Sequence, residues 1–230
     1  MLQGARLLLH LRRYLRETGG ALICLTALLY WFAPNLLAFL QAYLNQRLAF
    51  FGVLEPVSAM LKLSSAAALT LLAPWLLWRL ALGLVAVFGL SRRFAAIFVA
   101  SATVLFYGGV AFCFFITLPF GINFLLGYQS EHLRPVIGVG RFVNFVGLFL
   151  LAFGLIFELP ILISFLSLAG IVNYKQLIRF SRWFLVIAVV VGAMLTPPDV
   201  VTQLLLAAPL MVLYFLSIIF AYLFGPKVEE

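Results

Sequence analysis

Residues 142–160 read FVNFVGLFLLAFGLIFELP: sixteen positions with no Asp, Glu, Lys or Arg, then Glu158, then Pro160 two places on. A helix facing water needs polar side chains along its outer stripe, so Phe142 to Phe157 belongs against lipid or inside protein. Outward along the chain the pattern recurs, and Ala95 to Phe115 is equally free of charge. Over all 230 residues, 66% are hydrophobic and 10% charged, against roughly 45–50% and 25% in soluble globular chains. This composition predicts an all-α membrane protein, most of it dissolved in lipid.

A bilayer core about 30 Å thick takes about 20 helical residues per crossing. Six segments qualify, near 21–43, 63–88, 95–127, 141–170, 183–196 and 203–223, in one transmembrane domain over 1–230. The first is not a cleavable signal, because its apolar stretch runs on to about Leu40 with no small-residue cleavage site after it. Six crossings put both termini on one side, and the basic residues choose which. With the N-terminus inside, Arg6, Arg12, Arg13, Arg16, Arg79, Arg92, Arg93, Lys175, Arg179, Arg182 and Lys227 are internal, and only Arg47, Lys62, Arg134 and Arg141 are external. Eleven against four satisfies the positive-inside rule with both termini cytoplasmic.

Punctuation refines the spans. The fifth has only about a dozen residues between Arg182 and Thr196, too few to cross untilted, so short fifth and sixth helices are expected. Pro119 and Pro160 each remove a backbone hydrogen bond and should bend the long third and fourth helices. Between Tyr43 and Lys62, Gly52 and Glu55-Pro56 predict a non-helical or broken outer cap, with Glu55 a turn-stabilising acid. Thr196-Pro197-Pro198-Asp199 reads as a helix start, with Thr196 as cap, the prolines in the first turn and Asp199 at the positive end.

Little covalent chemistry is encoded. Cys24 and Cys113 lie in apolar stretches, where a thiol acts as a small hydrophobe. His10 and His132 are predicted on opposite sides of the membrane. No metal, nucleophile or phosphate-loop pattern is present, so neither a cofactor nor an enzyme is expected. The formal charge of +8 is accounted for by topology signals, and no basic patch with interleaved aromatics points to nucleic acid. Arg12-Arg13 and Arg92-Arg93 are most simply topology anchors, with a cargo-facing loop as the sharper reading. Glu158 stands out, because a carboxylate at membrane depth costs about 2.5–3.5 kcal/mol and so normally has a task. Gly147, Leu151, Gly154 and Glu158 share one helix stripe, open to close approach by a neighbour. The structural alternative is an acid hydrogen-bonded between helices as glue.

The run Leu195-Thr196-Pro197-Pro198-Asp199, followed by Gln203, Leu204-Leu205-Leu206-Ala207, Pro209-Leu210 and Leu213-Tyr214, resembles the signature segment of the TatC family of twin-arginine translocases. Ala152 to Pro160 is similar to that family's fourth helix, with its intramembrane glutamate just before a proline. Phe106-Tyr107-Gly108, Phe112, Phe114-Phe115 and Leu118-Pro119 resemble its third helix. Glu55-Pro56, Lys62-Leu63-Ser64, Pro74 and Trp78-Arg79 resemble its first outer loop and second helix. The resemblance implies a concave, N-in/C-in scaffold of six helices in the bacterial inner membrane. It further implies docking of signal peptides from folded cargo, TatA-like and TatB-like single-span partners, homo-oligomers within a receptor complex, and export driven by the proton-motive force. The sites it implies are His10, Leu11, Arg12, Arg13, Arg16, Glu17, Arg92 and Arg93 for the signal peptide, and Gly154, Glu158, Pro160, Gln203 and Tyr214 for partner helices. Glu55, Pro56 and Thr196 to Asp199 would be structural.

The chain departs from the family at the cytoplasmic face. Family members carry a glutamate in the N-terminal segment and another in the first inner loop, where this chain has His10-Leu11-Arg12-Arg13-Tyr14-Leu15-Arg16 and Phe88-Gly89-Leu90-Ser91-Arg92-Arg93. A bidentate arginine–carboxylate contact suits a paired-arginine peptide, whereas arginine against arginine is repulsive. Glu17 is the one acid of that face before Glu229 and Glu230, and would substitute only if turned toward the loop. Phe215 also follows Tyr214 where the family commonly has glutamate. Two other readings stand beside the translocase: a small-solute or ion transporter, for which a buried acid at a proline break is also familiar, and a scaffold-only TatC paralogue.

Overall fold

In a computed structural model the chain is almost entirely helical. The structure describes residues 2–44, 48–88, 92–126, 137–168, 170–195 and 200–224, of which 2–15, 84–88, 92, 94, 124–126, 194–195, 200–202, 205 and 224 are described by backbone alone. Among these, six helical segments are long and apolar enough to cross a membrane: Arg16–Tyr43, Glu55–Gly83, Ala95–Asn123, Val139–Leu168, Tyr174–Ala193 and Leu206–Leu223. The chain divides into two compact units, Met1–Leu80 with Pro135–Gly147 and Ala81–Arg134 with Leu148–Glu230.

The first unit contains α1 (Leu2–Tyr43), α2 up to Leu80 (α2 is Glu55–Phe88 in full) and the start of α5 (Val139–Ile156). Ala33, Leu37, Leu40 and Leu44 form the buried stripe of α1, at spacings of four, three and four, while Ile23 and Trp31 are exposed on it. Such a narrow stripe fits a helix with lipid around most of its circumference. The helix runs back to Leu2, well before the apolar span expected from residue 21. Between α1 and α2, β1 (Leu48–Ala49) pairs in parallel with β2 (Ile137–Gly138), Leu48 against Ile137 and Ala49 against Gly138. This small ladder is the one departure from an all-α chain among the described residues. The non-helical cap is confined to the residues before Glu55. Glu55-Pro56 opens α2 instead of interrupting it, because a proline in the first turn lacks only an amide that the helix would leave unbonded.

The second unit holds the bent helices. α3 (Arg92–Phe112) passes through a π turn (Cys113–Thr117) into α4 (Leu118–Leu126). There the Leu118 amide donates to the Cys113 carbonyl, five residues back, so the chain widens by one residue just before Pro119. The fourth span takes another route. α5 stops at Ile156 and α6 (Leu159–Leu168) starts after a two-residue turn. Pro160 has no amide to return to Ile156, so the break falls where the missing donor would have been.

α6 closes with a left-handed Gly170 at φ 72°, whose amide donates to Ser167 while that of Ile171 donates to Leu166. This is the paired-bond pattern of a Schellman cap. Asn173 and Gln176 then form a reciprocal capping box, each side chain accepting the other's backbone N–H at 3.0 and 3.1 Å. α7 therefore spans Tyr174–Leu195, nine residues ahead of the window expected from Trp183. Its apolar part, Trp183 to Leu195, still covers only about 20 Å at 1.5 Å per residue. α8 (Val200–Phe224) packs on α6 and α7 around Ile163, Leu177, Phe184, Ala188, Leu210, Tyr214 and Ile218.

Candidate functional site

Three acids have described side chains, and each sits differently. Glu17 on α1 forms an ion pair with Arg79 on α2, and the Arg79 guanidinium lies 4.9 Å from the centroid of the Trp75 ring. Both partners are about one-third exposed, at 33% and 29%, so water screens the pair and its worth is about 0–1 kcal/mol. Its consequence is chemical: the carboxylate that sequence reasoning offered as a substitute for the missing family acids already holds an internal guanidinium. A cargo arginine would have to compete with Arg79.

Glu55 serves the outer turn. Its Oε2 accepts the Phe51 amide at 2.7 Å and its Oε1 accepts the Gly140 amide at 2.9 Å. The carboxylate thus ties the turn before α2 to the first turn of α5, where free amides and the helix dipole favour an anion. Glycine leaves room opposite it, and a side chain there would press on the carboxylate. A Cβ on Gly138 would lie 3.1 Å from Glu55 Oε1, and one on Gly140 would lie 3.0 Å from the same atom. Glu55 thus bonds within the fold, and Pro56 lies in the first turn of α2. Gly138 and Gly140 went unnoticed, since a glycine's need for a partner 85 residues away leaves no local trace.

Glu158 is the contrasting case. It sits in the turn between α5 and α6, its amide bonded to the Leu155 carbonyl at 3.1 Å and its carbonyl accepting the Leu162 amide at 2.9 Å. That makes it the N-cap of α6, at the positive end of the helix. Its Oε1 is buried and has no hydrogen-bond partner among the described residues. The glycine stripe beneath it is already in use. A Cβ on Gly154 would lie 2.6 Å from the Phe106 ring of α3, and one on Gly109 would lie 2.5 Å from the Phe153 carbonyl oxygen. Helices α3 and α5 thus approach through two reciprocal glycines, and beside them Phe112 stacks on Phe153 and meets Phe157 at a tilt. Gly154 admits a neighbour from its own chain rather than leaving room for another. Gly109 was the residue missed, although the Gly108-Gly109 pair in an apolar span signals such a crossing.

Gln203 and Tyr214 are likewise engaged internally. The Tyr214 hydroxyl donates to the Leu177 carbonyl at 2.8 Å and its ring stacks on Phe184 at 4.0 Å, with the residue 2% exposed. The Gln203 amide nitrogen donates to the Val189 carbonyl at 2.8 Å. Both bonds join α7 to α8, so these side chains position helices and present little to an outside partner. Pro160 is buried at the α6 start. Arg16 and Arg93 are exposed, as are Lys175, Arg179 and Arg182 along the first turns of α7. The side chains of His10, Leu11, Arg12, Arg13 and Arg92, and all of Thr196, Pro197, Pro198 and Asp199, lie outside the described residues.

Comparison with known proteins bears on the fold and the family. The family model described as Sec-independent protein translocase protein (TatC) matches residues 6–209. The Sec-independent protein translocase protein TatC of Carboxydothermus hydrogenoformans is 33% identical over 189 residues, covering 80% of this chain and 76% of its own. That of Koribacter versatilis is 30% identical over 240 residues, covering 98% and 88%. A crystal structure of the twin arginine translocase receptor TatC superposes with a TM-score of 0.84 at 31% identity, covering 94% of this chain and 98% of that one.

Proposed function

Since this chain belongs to the TatC family of Sec-independent protein translocase proteins, we propose that it is the receptor subunit of a twin-arginine system in a bacterial inner membrane. In this reading both termini are cytoplasmic, which the eleven-to-four distribution of basic residues supports. Signal peptides of folded cargo dock at the cytoplasmic face, and TatA-like and TatB-like single-span subunits pack against the helices. Export draws on the proton-motive force, and the chain works by binding and assembly, without covalent chemistry. Copies of the chain associate in the receptor complex.

The observation that carries the reading is the buried, unpartnered oxygen of Glu158 at a proline break in a lipid-embedded helix. A carboxylate kept at that depth is costly, and no donor to this oxygen is present among the described residues, so a polar group on an incoming helix is its natural complement. The relatives are named as protein translocase components, which favours this reading over a solute or ion carrier.

Glu17 bears on cargo selection. It lies four residues after Arg13 on the continuous α1, hence one turn farther along the same face. We infer that cargo recognition uses Glu17 only through exchange with Arg79, so a paired-arginine preference is weaker than in relatives with free acids. The experiment expresses this chain as the sole TatC in a cell and follows export of a folded reporter behind a paired-arginine or a paired-lysine signal. Export of the paired-arginine reporter is expected, with shallow discrimination against paired lysine. Loss of export for both, with the chain correctly inserted beside TatA-like and TatB-like subunits, would leave the scaffold-only reading in place.

A further inference from the structure

Between β1 and the start of α2 the chain makes a non-helical turn whose side chains are apolar and directed outward. Phe50 is 60% exposed, Phe51 70%, Val53 94% and Leu54 77%, and the same surface continues onto α2 through Val57 and Leu61. In water such a patch is a liability, and its continuity with a membrane-spanning helix says what covers it. Part of the backbone is prepared for the same surroundings. The Phe51 amide is held by Glu55, the Glu55 amide by the Gly52 carbonyl, the Ser58 amide by the Leu54 carbonyl, and Leu48 and Ala49 by the ladder to β2. Non-helical chain tolerates an apolar environment only when its polar groups are satisfied within the protein. The turn's nearest charge, Glu55, is spent on two amides.

Depth agrees. From Arg79 to Glu55, twenty-four residue steps apart, α2 rises about 36 Å. The hydrocarbon core is about 30 Å thick and the bilayer about 40–45 Å with its headgroups. With Arg79 held by Glu17 and Trp75 at one boundary, the Glu55 end of α2 falls within the opposite headgroup layer. Exposed Lys62, two turns farther in, has the reach to return its ammonium to that layer. Phe39 and Tyr43, exposed and stacked near the end of α1, add aromatic rings suited to the same boundary.

We propose that residues 50–54 form a lipid anchor, a fixed apolar wedge seated at the headgroup–acyl boundary on the side of the bilayer away from Arg79. The partner is the phospholipid surface itself. The wedge depends on no assumption about cargo or partner subunits. To test it, Val53→Cys is introduced with Cys24→Ala, leaving buried Cys113 in place, and labelled with a polarity-sensitive thiol dye. Cys24→Ala alone gives the background. The full chain is reconstituted in vesicles of phosphatidylethanolamine and phosphatidylglycerol. Blue-shifted emission is expected, quenched by headgroup-proximal nitroxide lipid and protected from aqueous iodide. Emission quenched by iodide like free dye would place the turn in water and overturn the anchor. Protection from both quenchers would mean that a second copy covers it, which overturns the anchor equally. Leu54→Cys serves as a second reporter should labelling at position 53 disturb the turn.

Discussion

Glu55 and Glu158 each precede a proline, by one place and by two, at the start of a helix, and the chain treats their carboxylates in opposite ways. Glu55 has both oxygens filled by backbone amides, those of Phe51 and Gly140. Glu158 has a buried oxygen with no partner among the described residues. The first acid is a fastener whose ligands belong to the fold. The second sits at the positive end of α6, but its buried oxygen bears the cost of burial in an apolar span with no hydrogen bond among the described residues. A shared local motif, acid then proline, therefore says where a helix begins and nothing about what the acid is for. The difference lies in which backbone amides come within reach.

The largest test of that contrast is Glu158→Gln. The replacement keeps volume and leaves the helix break to Pro160, so insertion and abundance should stay near those of the parent. Export of a folded paired-arginine reporter should fall about tenfold or more, equivalent to about 1.4 kcal/mol of lost docking. Undiminished export would reduce Glu158 to a helix cap.

Second in size are the glycines behind the acid. In Gly109→Ala the new methyl would meet the Phe153 carbonyl oxygen at 2.5 Å and the Phe157 Cβ at 2.8 Å, so backbone and the residue preceding Glu158 must move. In Gly154→Ala the clash is with the edge of the Phe106 ring at 2.6 Å, and a side chain can turn aside. Overpacking typically costs about 1–3 kcal/mol. Thermal unfolding in detergent should place Gly109→Ala at or above the top of that range and Gly154→Ala toward its bottom. Equal effects would mean that the α3–α5 crossing is less tight than the distances indicate.

How much of this was legible in the sequence follows from which signals are local. Hydropathy indicated six spans, and Pro160 indicated a bend in the fourth, which the structure resolves as a turn at Phe157-Glu158. Helix ends were less well served, since hydropathy does not register caps. Asn173 and Gln176 carried a readable N-terminal signal, yet the apolar window starting at Trp183 concealed the first nine residues of α7. What could not be read is pairing across long separations. Glu17 meets Arg79 62 residues on, Glu55 meets Gly140 85 residues on, and β1 and β2 are too short to show any strand pattern. Among the groups implied for cargo and partner contact, Glu17 stood out as a lone acid and Tyr214 by its place in the family's signature segment. That both are engaged within the chain was visible only in three dimensions.

The smallest expected effect belongs to Glu55→Gln, and it bears most directly on the fastener reading. The amide oxygen of glutamine can still accept one of the two backbone amides, but its NH2 group cannot accept the other and would face a donor with a donor. Either the Phe51 turn or the first turn of α5 must lose its partner, while the β1–β2 ladder and the helix start at Pro56 remain. The unfolding midpoint should drop by a few degrees, and export should stay close to that of the parent because the change is confined to the first unit. An export defect as deep as that of Glu158→Gln would erase the distinction between the two acids, whereas an unchanged midpoint would show that the ladder alone holds the turn.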